Sequence, residues 1–468
     1  MKNTKIVSTI GPATDSKETI QSLIEAGVNV FRQNFSHVDH EEHEKVLNRI
    51  RDVSENVAVM MDTKGPEIRL GEVKKDIKLD QGDDIILTTD EITGDKEALP
   101  IKYDNLLEHI EAGDEIRIDD GKIELEVLQV SDTEANCEVI YGGEVSTRKA
   151  VNVPGEDIGL RAPTKKDKKD IRFAAKKGYD FISVSFVKHP EDVQRVKNIL
   201  DEEDSDAQII SKIEHRKAIE NLDEILEDSD AVMVARGDLG VEMPAAELPQ
   251  LQKDIITKCN KAAKPVITAT QMLESMTENS TATRAEISDV ANAVLDGSDA
   301  VMLSGETAIG DYPVKTVEFM SEIVEKAEEN LKDKIHHTIK DKSKSRTDII
   351  CKGAWQASKD GDYDLIVAQT SSGATARKIS RYRPEAEIVA FTDKEHVERQ
   401  LQLVWGVDPF HQNFHESSDK TVKEAAERLI SNQRASKDEE IILTAGLPTP
   451  SEGNTNTMQI RTVKEILD

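Results

Sequence analysis

The chain has 468 residues, 37% hydrophobic and 32% charged, with a formal net charge of −30. That length asks for two to four domains, and an acidic surface repels phosphate backbones and anionic lipid, so no nucleic-acid or membrane partner is expected. No apolar run approaches the roughly 18 residues of a membrane span, and the scattered Cys137, Cys259 and Cys351 form no CxxC pair, which points to a reduced, cytoplasmic setting without a disulfide frame or zinc site.

The chain opens on a strand-like run, KIVSTIG from Lys5, rather than a signal peptide. Similar runs follow as VNVFRQNF from Val28, VAVMMDT from Val57, DFISVSFV from Asp180, QIISKIE from Gln208, AVMVARG from Ala231, PVITAT from Pro265 and AVMLSGE from Ala300. Short, nearly continuous apolar runs suit buried parallel strands. Polar stretches of helical period, such as SKETIQSLIEAG, stand between most of them. Eight strand–helix units predict an α/β fold, a closed TIM (β/α)8 barrel.

Between Arg69 and about Asn152 the text changes to short alternating segments with Gly-Asp and Asp-Gly turns. This predicts a small β-barrel domain inserted after the third strand. The expected division is a discontinuous barrel over 1–69 and 156–338, an inserted β-rich domain over 70–155, and a C-terminal domain over 339–468. The last begins at a polar hinge, KDKSKSR from Lys340, and alternates helices with DLIVAQT, EIVAFT and EEIILTAG, as an open-sheet α/β domain does.

Barrel enzymes carry their chemistry at the C-terminal ends of the strands. Those ends hold Arg32, Asn34, Ser36 and His37; Asp62, Thr63, Lys64, Glu67 and Arg69; Lys212 and Glu214; Arg236 and Asp238; Thr270; Ser304 and Glu306. Any one of them could be a solvated rim or a cap, but six polar strand ends facing one mouth make that reading poor. Glu214 and Asp238 are hard oxygen ligands suited to Mg2+, or else ion-pair partners of Lys212 and Arg236. Asn34, Ser36, Asp62 and Thr63 could hold a monovalent cation or bond among themselves. Arg32, Arg69, Lys212 and Arg236 supply the positive island that phosphates need on an acidic protein. This inventory fits phosphoryl transfer, although GxxxxGK[ST], GxGxxG, GxSxG and HExxH are all absent. His37, His40 and His43 in HVDHEEH read as a loop and a charged helix rather than a metal stripe.

Several ordered segments resemble pyruvate kinases: TKIVSTIGPAT, MDTKGPEIR from Met61, IISKIE from Ile209, VARGDLGVE from Val234, ITATQMLESM from Ile267 and TRAEISDVANAVLDGSDAVMLSGETAIGDYP from Thr283. The resemblance implies transfer of a phosphoryl group from phosphoenolpyruvate to ADP, giving pyruvate and ATP, with Mg2+ or Mn2+ and K+ as cofactors. It implies that Arg32 grips the transferring group and that Lys212 stabilises its transition state. Glu214 and Asp238 match the divalent-ion ligands, and Asn34, Ser36, Asp62 and Thr63 match the potassium ligands, with Glu67 marking potassium dependence. Ala235, Arg236 and Gly237 lie where the family holds the substrate carboxylate, beside Asp238 and Thr270. Thr270, Ser304 and Glu306 match the proton-delivery residues. Asp120 resembles the lid aspartate; Arg69, Lys166 and Asn34 fall on the nucleotide side. In the C-terminal domain, TSSGATA resembles an effector loop for a sugar phosphate or nucleotide, through Thr370, Ser371, Ser372, Gly373 and Thr375, and the segment from Leu443 matches the facing loop. A homotetramer is also implied. Departures from the usual family pattern occur at Gln33, Val38, Leu70, Arg161, Thr164 and Lys165. A barrel lyase or aldolase of oxo-acids would share the Glu/Asp pair but not the insert or the third domain. A non-catalytic metabolite binder would not need Lys212 and Glu214.

Overall fold

The computed structural model describes residues 2–75, 77–329, 345–446 and 455–468. Residues 340–344 of the hinge, the expected 338/339 boundary and residues 447–454 of the segment from Leu443 lie outside the described residues. The eight expected strands form β1 (Lys5–Thr9), β2 (Val30–Asn34), β3 (Ala58–Asp62), β4 (Phe181–Val184), β5 (Gln208–Ile213), β6 (Ala231–Ala235), β7 (Val266–Ala269) and β8 (Ala300–Leu303). They are parallel and close into a ring in chain order, β8 pairing with β1. Alternate side chains decide the two sides of the wall. Val7, Val30, Met60, Phe181, Ile210, Met233, Ile267 and Met302 fill the interior, while Ile6, Phe31, Val59, Ile182, Ile209 and Val232 pack under the surrounding helices. Caps fix where those helices start: Ser16 and Asp39 accept from the first-turn amides, and Thr164 and Thr283 complete capping boxes.

Ile68–Arg69 and Ala150–Asn152 lead into and out of the insert and pair antiparallel with each other. They form one edge of a seven-stranded sheet that ends at Ala98–Pro100. That far edge returns to the first, because Gly71 donates to Pro100 O at 2.7 Å and Lys102 to Arg69 O at 3.0 Å around a Leu70–Ile101 bridge. The insert is therefore a small closed barrel around Leu70, Leu87, Leu99, Ile116, Leu125 and Val127.

The C-terminal sheet has five strands, in the order Val407–His411, Glu387–Thr392, Leu365–Gln369, Glu440–Ala445 and Thr457–Thr462, the last antiparallel. Three of the five were expected. Val407–His411 (VDPFH) carries Asp and Pro, and Thr457–Thr462 (TMQIRT) is a partly exposed edge, so neither shows a buried-strand pattern. This domain lies across the N-terminal end of the barrel. Leu403 enters the barrel interior cluster from below. Asp180 binds Arg51 at 2.7 Å and Arg399 at 2.6 Å. Arg383 binds Asp299 at 3.0 Å, with its guanidinium 4.9 Å from the Trp405 ring centroid.

Candidate active site

The opposite, C-terminal end of the barrel holds a buried network. Asp62, the last residue of β3, is 1% exposed. Its Oδ2 accepts from Arg32 Nε at 2.6 Å and its Oδ1 faces Lys212 Nζ at 3.3 Å. Lys212, on β5, also reaches Glu214 Oε1 at 2.9 Å and donates to Ser185 Oγ at 2.8 Å. Arg32 further donates to Thr9 Oγ1 at 3.0 Å. Three expected residues from three strands, Arg32, Asp62 and Lys212, thus meet around one point.

The charges are not balanced. Burial works against the Lys212 ammonium, but Asp62 and Glu214 outweigh it and hold its pKa above the usual range. Burial also acts to raise Asp62, yet Lys212 and Arg32 keep it below the carboxylate range. Glu214 is pushed up by burial, with Lys212 pulling back and Asp238 adding to the rise. Asp238 is likewise raised by burial, with Lys212 pulling back and Asp120 adding to the rise. Two adjacent buried carboxylates in one place, short of positive charge, are the donor set a divalent cation takes. Among the described residues no group of three or more His, Cys, Asp or Glu side chains forms a metal cluster; a cation here would complete its shell with substrate or water oxygens.

Glu214 is held by a backbone device that the sequence reading missed. Phe186, just past β4, has φ of +56° and donates its N–H to Glu214 Oε2 at 2.6 Å. Ser185 was missed too; it bonds Thr63 O at 2.7 Å and its N–H reaches Thr63 Oγ1 at 2.9 Å. A serine at the end of a barrel strand was the available signal.

Thr270 and Gln271 have φ of +65° and +55°, a strained pair at the end of β7. Thr270 Oγ1 accepts from Gly237 N–H at 2.9 Å, which ties the first turn after β6 to β7. The Arg236 side chain turns away, to Asp289 at 2.7 Å and Thr270 O at 2.6 Å. Glu306 is buried and raised by that burial; it accepts from Ser304 N–H at 2.7 Å and Leu273 N–H at 3.3 Å. Of the four expected potassium ligands, Asp62 and Thr63 lie in the network, while Asn34 Oδ1 accepts from Ser36 N–H at 3.1 Å. Glu67 pairs with Arg69 at 2.7 Å, and Arg69 also donates to Arg148 O at 2.8 Å. Asp120 and Asp238 line a common cavity of about 70 Å3 between insert and barrel. Lys166 stands apart, bonded to Phe35 O at 2.7 Å and Asp170 at 2.6 Å. Wider cavities, of about 580 and 690 Å3, lie between the barrel and the C-terminal domain, so chemistry rather than volume singles out this mouth.

The three histidines of HVDHEEH do not converge. His37 is exposed. His40 binds Asp170 at 2.7 Å and stacks on Phe173. His43 stacks on Phe35 at 3.7 Å, and burial lowers its pKa to about 4. Thr370, Ser371, Ser372 and Gly373 form the turn between a strand and a short helix, Gly373 at φ +75°, and Thr375 Oγ1 meets Thr455 Oγ1 at 2.6 Å.

A family model described as "Pyruvate kinase, barrel domain" matches residues 1–317, and one described as "Pyruvate kinase, alpha/beta domain" matches residues 348–461. The pyruvate kinases of Staphylococcus aureus strains MRSA252 and USA300 are 44% and 45% identical over 472 residues, covering 99% of this chain and 81% of theirs. A solved structure described as a pyruvate kinase from Cryptosporidium parvum superposes with a TM-score of 0.94 at 38% identity, covering 99% of this chain and 96% of that one.

Proposed function

The chain belongs to the pyruvate kinase family, whose members move the phosphoryl group of phosphoenolpyruvate to ADP, and from that premise we propose that the transfer takes place at the mouth built on Arg32, Lys212, Glu214 and Asp238. The observation that carries this reading is the buried, unbalanced network in which Lys212 bridges Asp62 and Glu214 while burial raises both Glu214 and Asp238.

Phosphoryl transfer depends on position and charge more than on covalent work by the protein. Arg32 and Lys212 face the transferring group and neutralise the charge that grows on its equatorial oxygens. The backbone of Ala235, Arg236 and Gly237 holds the substrate carboxylate. Thr270, backed by Ser304 and Glu306, holds the proton destined for the carbon that becomes the pyruvate methyl. Asp120 closes from the insert, and Arg69, Asn34 and Lys166 serve the nucleotide side. Glu214 and Asp238 would hold Mg2+ or Mn2+, which neutralises phosphate charge and polarises its oxygens when bound. Asn34, Ser36, Asp62 and Thr63 would hold K+. In this reading residues 1–69 with 156–338 form the catalytic barrel, 70–155 the lid, and 339–468 an effector-binding and assembly domain. Its loop at Thr370–Thr375 takes a phosphorylated sugar or nucleotide, and the working form is a cytoplasmic homotetramer.

The test is ADP-dependent release of pyruvate from phosphoenolpyruvate with Mg2+ and K+ present, followed by a coupled dehydrogenase. Steady pyruvate formation is expected. None in the presence of ADP and both cations overturns the reading, and a monomer mass by light scattering overturns the tetramer.

A further inference from the structure

Glu242 is 5% exposed and closes the short helix Arg236–Glu242, whose first turn carries Asp238. A buried carboxylate needs donors, and the directions its donors come from are informative. Gly155 N–H, in the turn after the return strand Ala150–Asn152 and at φ +86°, lies 3.4 Å from Glu242 Oε2. Burial raises the Glu242 carboxyl to about 7, and the Gly155 backbone is the first group that pulls it back. His215 Nε2, one residue past Glu214, lies 3.4 Å from the same oxygen. His215 Nδ1 accepts from Lys217 N–H at 3.0 Å, so the ring proton of the neutral imidazole sits on Nε2, facing Glu242 and the carbonyl of Glu156 at 3.2 Å. Arg117, from the insert, donates to Val241 O at 2.5 Å and braces the same joint.

One carboxylate therefore touches three bodies: the helix of Asp238, the residue after Glu214, and the hinge of the insert that carries Asp120. We propose that Glu242 is a positioning residue that sets the angle of the lid against the two carboxylates of the divalent site, so that its loss leaves the mouth intact but the lid poorly seated. The proposal rests on the phosphoryl-transfer reading for its kinetic part only. A lid that spends less time closed lowers apparent affinity for what it encloses by the fraction of closed molecules lost.

In Glu242→Gln one acceptor oxygen becomes an N–H2 that faces donors. The expected result is an increase of about five-fold in KM for both phosphoenolpyruvate and ADP, with kcat within about two-fold. Amide exchange in residues 150–158 should quicken, while exchange in the barrel strands stays unchanged. Arg117→Met, which removes the brace on Val241 O from the lid side and leaves the buried carboxylate in place, should give the same pattern, and the double variant should be no worse than the more affected single one. If Glu242→Gln does not fold, Arg117→Met carries the same prediction. Unchanged exchange at 150–158, a fall in kcat at constant KM, or additive effects in the double variant each overturn the proposal. The exchange measurement reads the joint even in an enzyme that releases no pyruvate, so a failed activity and a failed joint are told apart.

Discussion

Both ends of the barrel bury charge, yet they treat it in opposite ways. At the N-terminal end two buried acids have their bases: Asp180 lies between Arg51 and Arg399, and Asp299 meets Arg383, Val266 N–H and Trp405 N–H. At the C-terminal end Asp62, Glu214 and Asp238 share Arg32 and Lys212, and burial raises two of the three acids. A closed set of pairs joins two parts of a chain. A set left short of cations is complete only with something from solution. Imbalance, more than burial, separates the working end from the fastened one.

The sharpest way to break the contrast is Lys212→Met. Because its charge acts on a group that develops in the transition state, kcat should fall by about a thousandfold while phosphoenolpyruvate binding persists. Retention of more than about a tenth of the activity would end the assignment. The matching change at the other end is Arg383→Met, which leaves Asp299 buried without its ion-pair partner. Stability to urea should drop by about 3 kcal/mol, with kcat per folded molecule unchanged; a kinetic change in the folded protein would blur the division between the ends.

A residue's place at the mouth is legible in the sequence where its own strand decides it. Asp62, Lys212, Glu214 and Asp238 stand in or just after runs whose pattern marks the end of a barrel strand. A position that depends on the backbone or on a distant segment is not legible. Nothing in SVSFV announces that Phe186 takes a positive φ to serve Glu214, or that Glu242, outwardly a helix-end acid, faces a hinge about 90 residues earlier in the chain. Arg236 reads as part of a positive island, and only the fold turns its guanidinium to Asp289.

A gentler probe uses protons. Burial lowers Lys5 and Lys2, at the fastened end, to about 8. Their unfolded values are higher, so the unfolded chain binds more protons between about pH 8 and 10.5, and stability should rise with pH across that window. Below it the cost of burying the charges is present in full. For Lys5 this amounts to roughly 3 kcal/mol, and Lys5→Met should halve the slope of the urea midpoint against pH; an undiminished slope would mean Lys5 is not desolvated.

The smallest effect tests the borrowed cation at the mouth. With Glu67 already paired to Arg69, the network gains no net charge from that pair. Replacing K+ by a large inert cation at constant ionic strength should lower the rate about tenfold, or roughly 1.4 kcal/mol, Na+ should restore little of it, and Glu67→Lys should weaken the dependence. An unchanged rate would overturn Asn34, Ser36, Asp62 and Thr63 as ligands.

The plug formed by Leu403 has a consequence for how the molecule is made. A ribosome releases the chain from its first residue onward, so all eight barrel strands are outside the tunnel before position 383, 399 or 403 has been translated. Until then the nascent ring lacks its floor, and Asp180 and Asp299 face water without Arg399 and Arg383. The barrel is the first part synthesised and among the last to be finished, and its apolar lumen is a surface for chaperones to guard during translation.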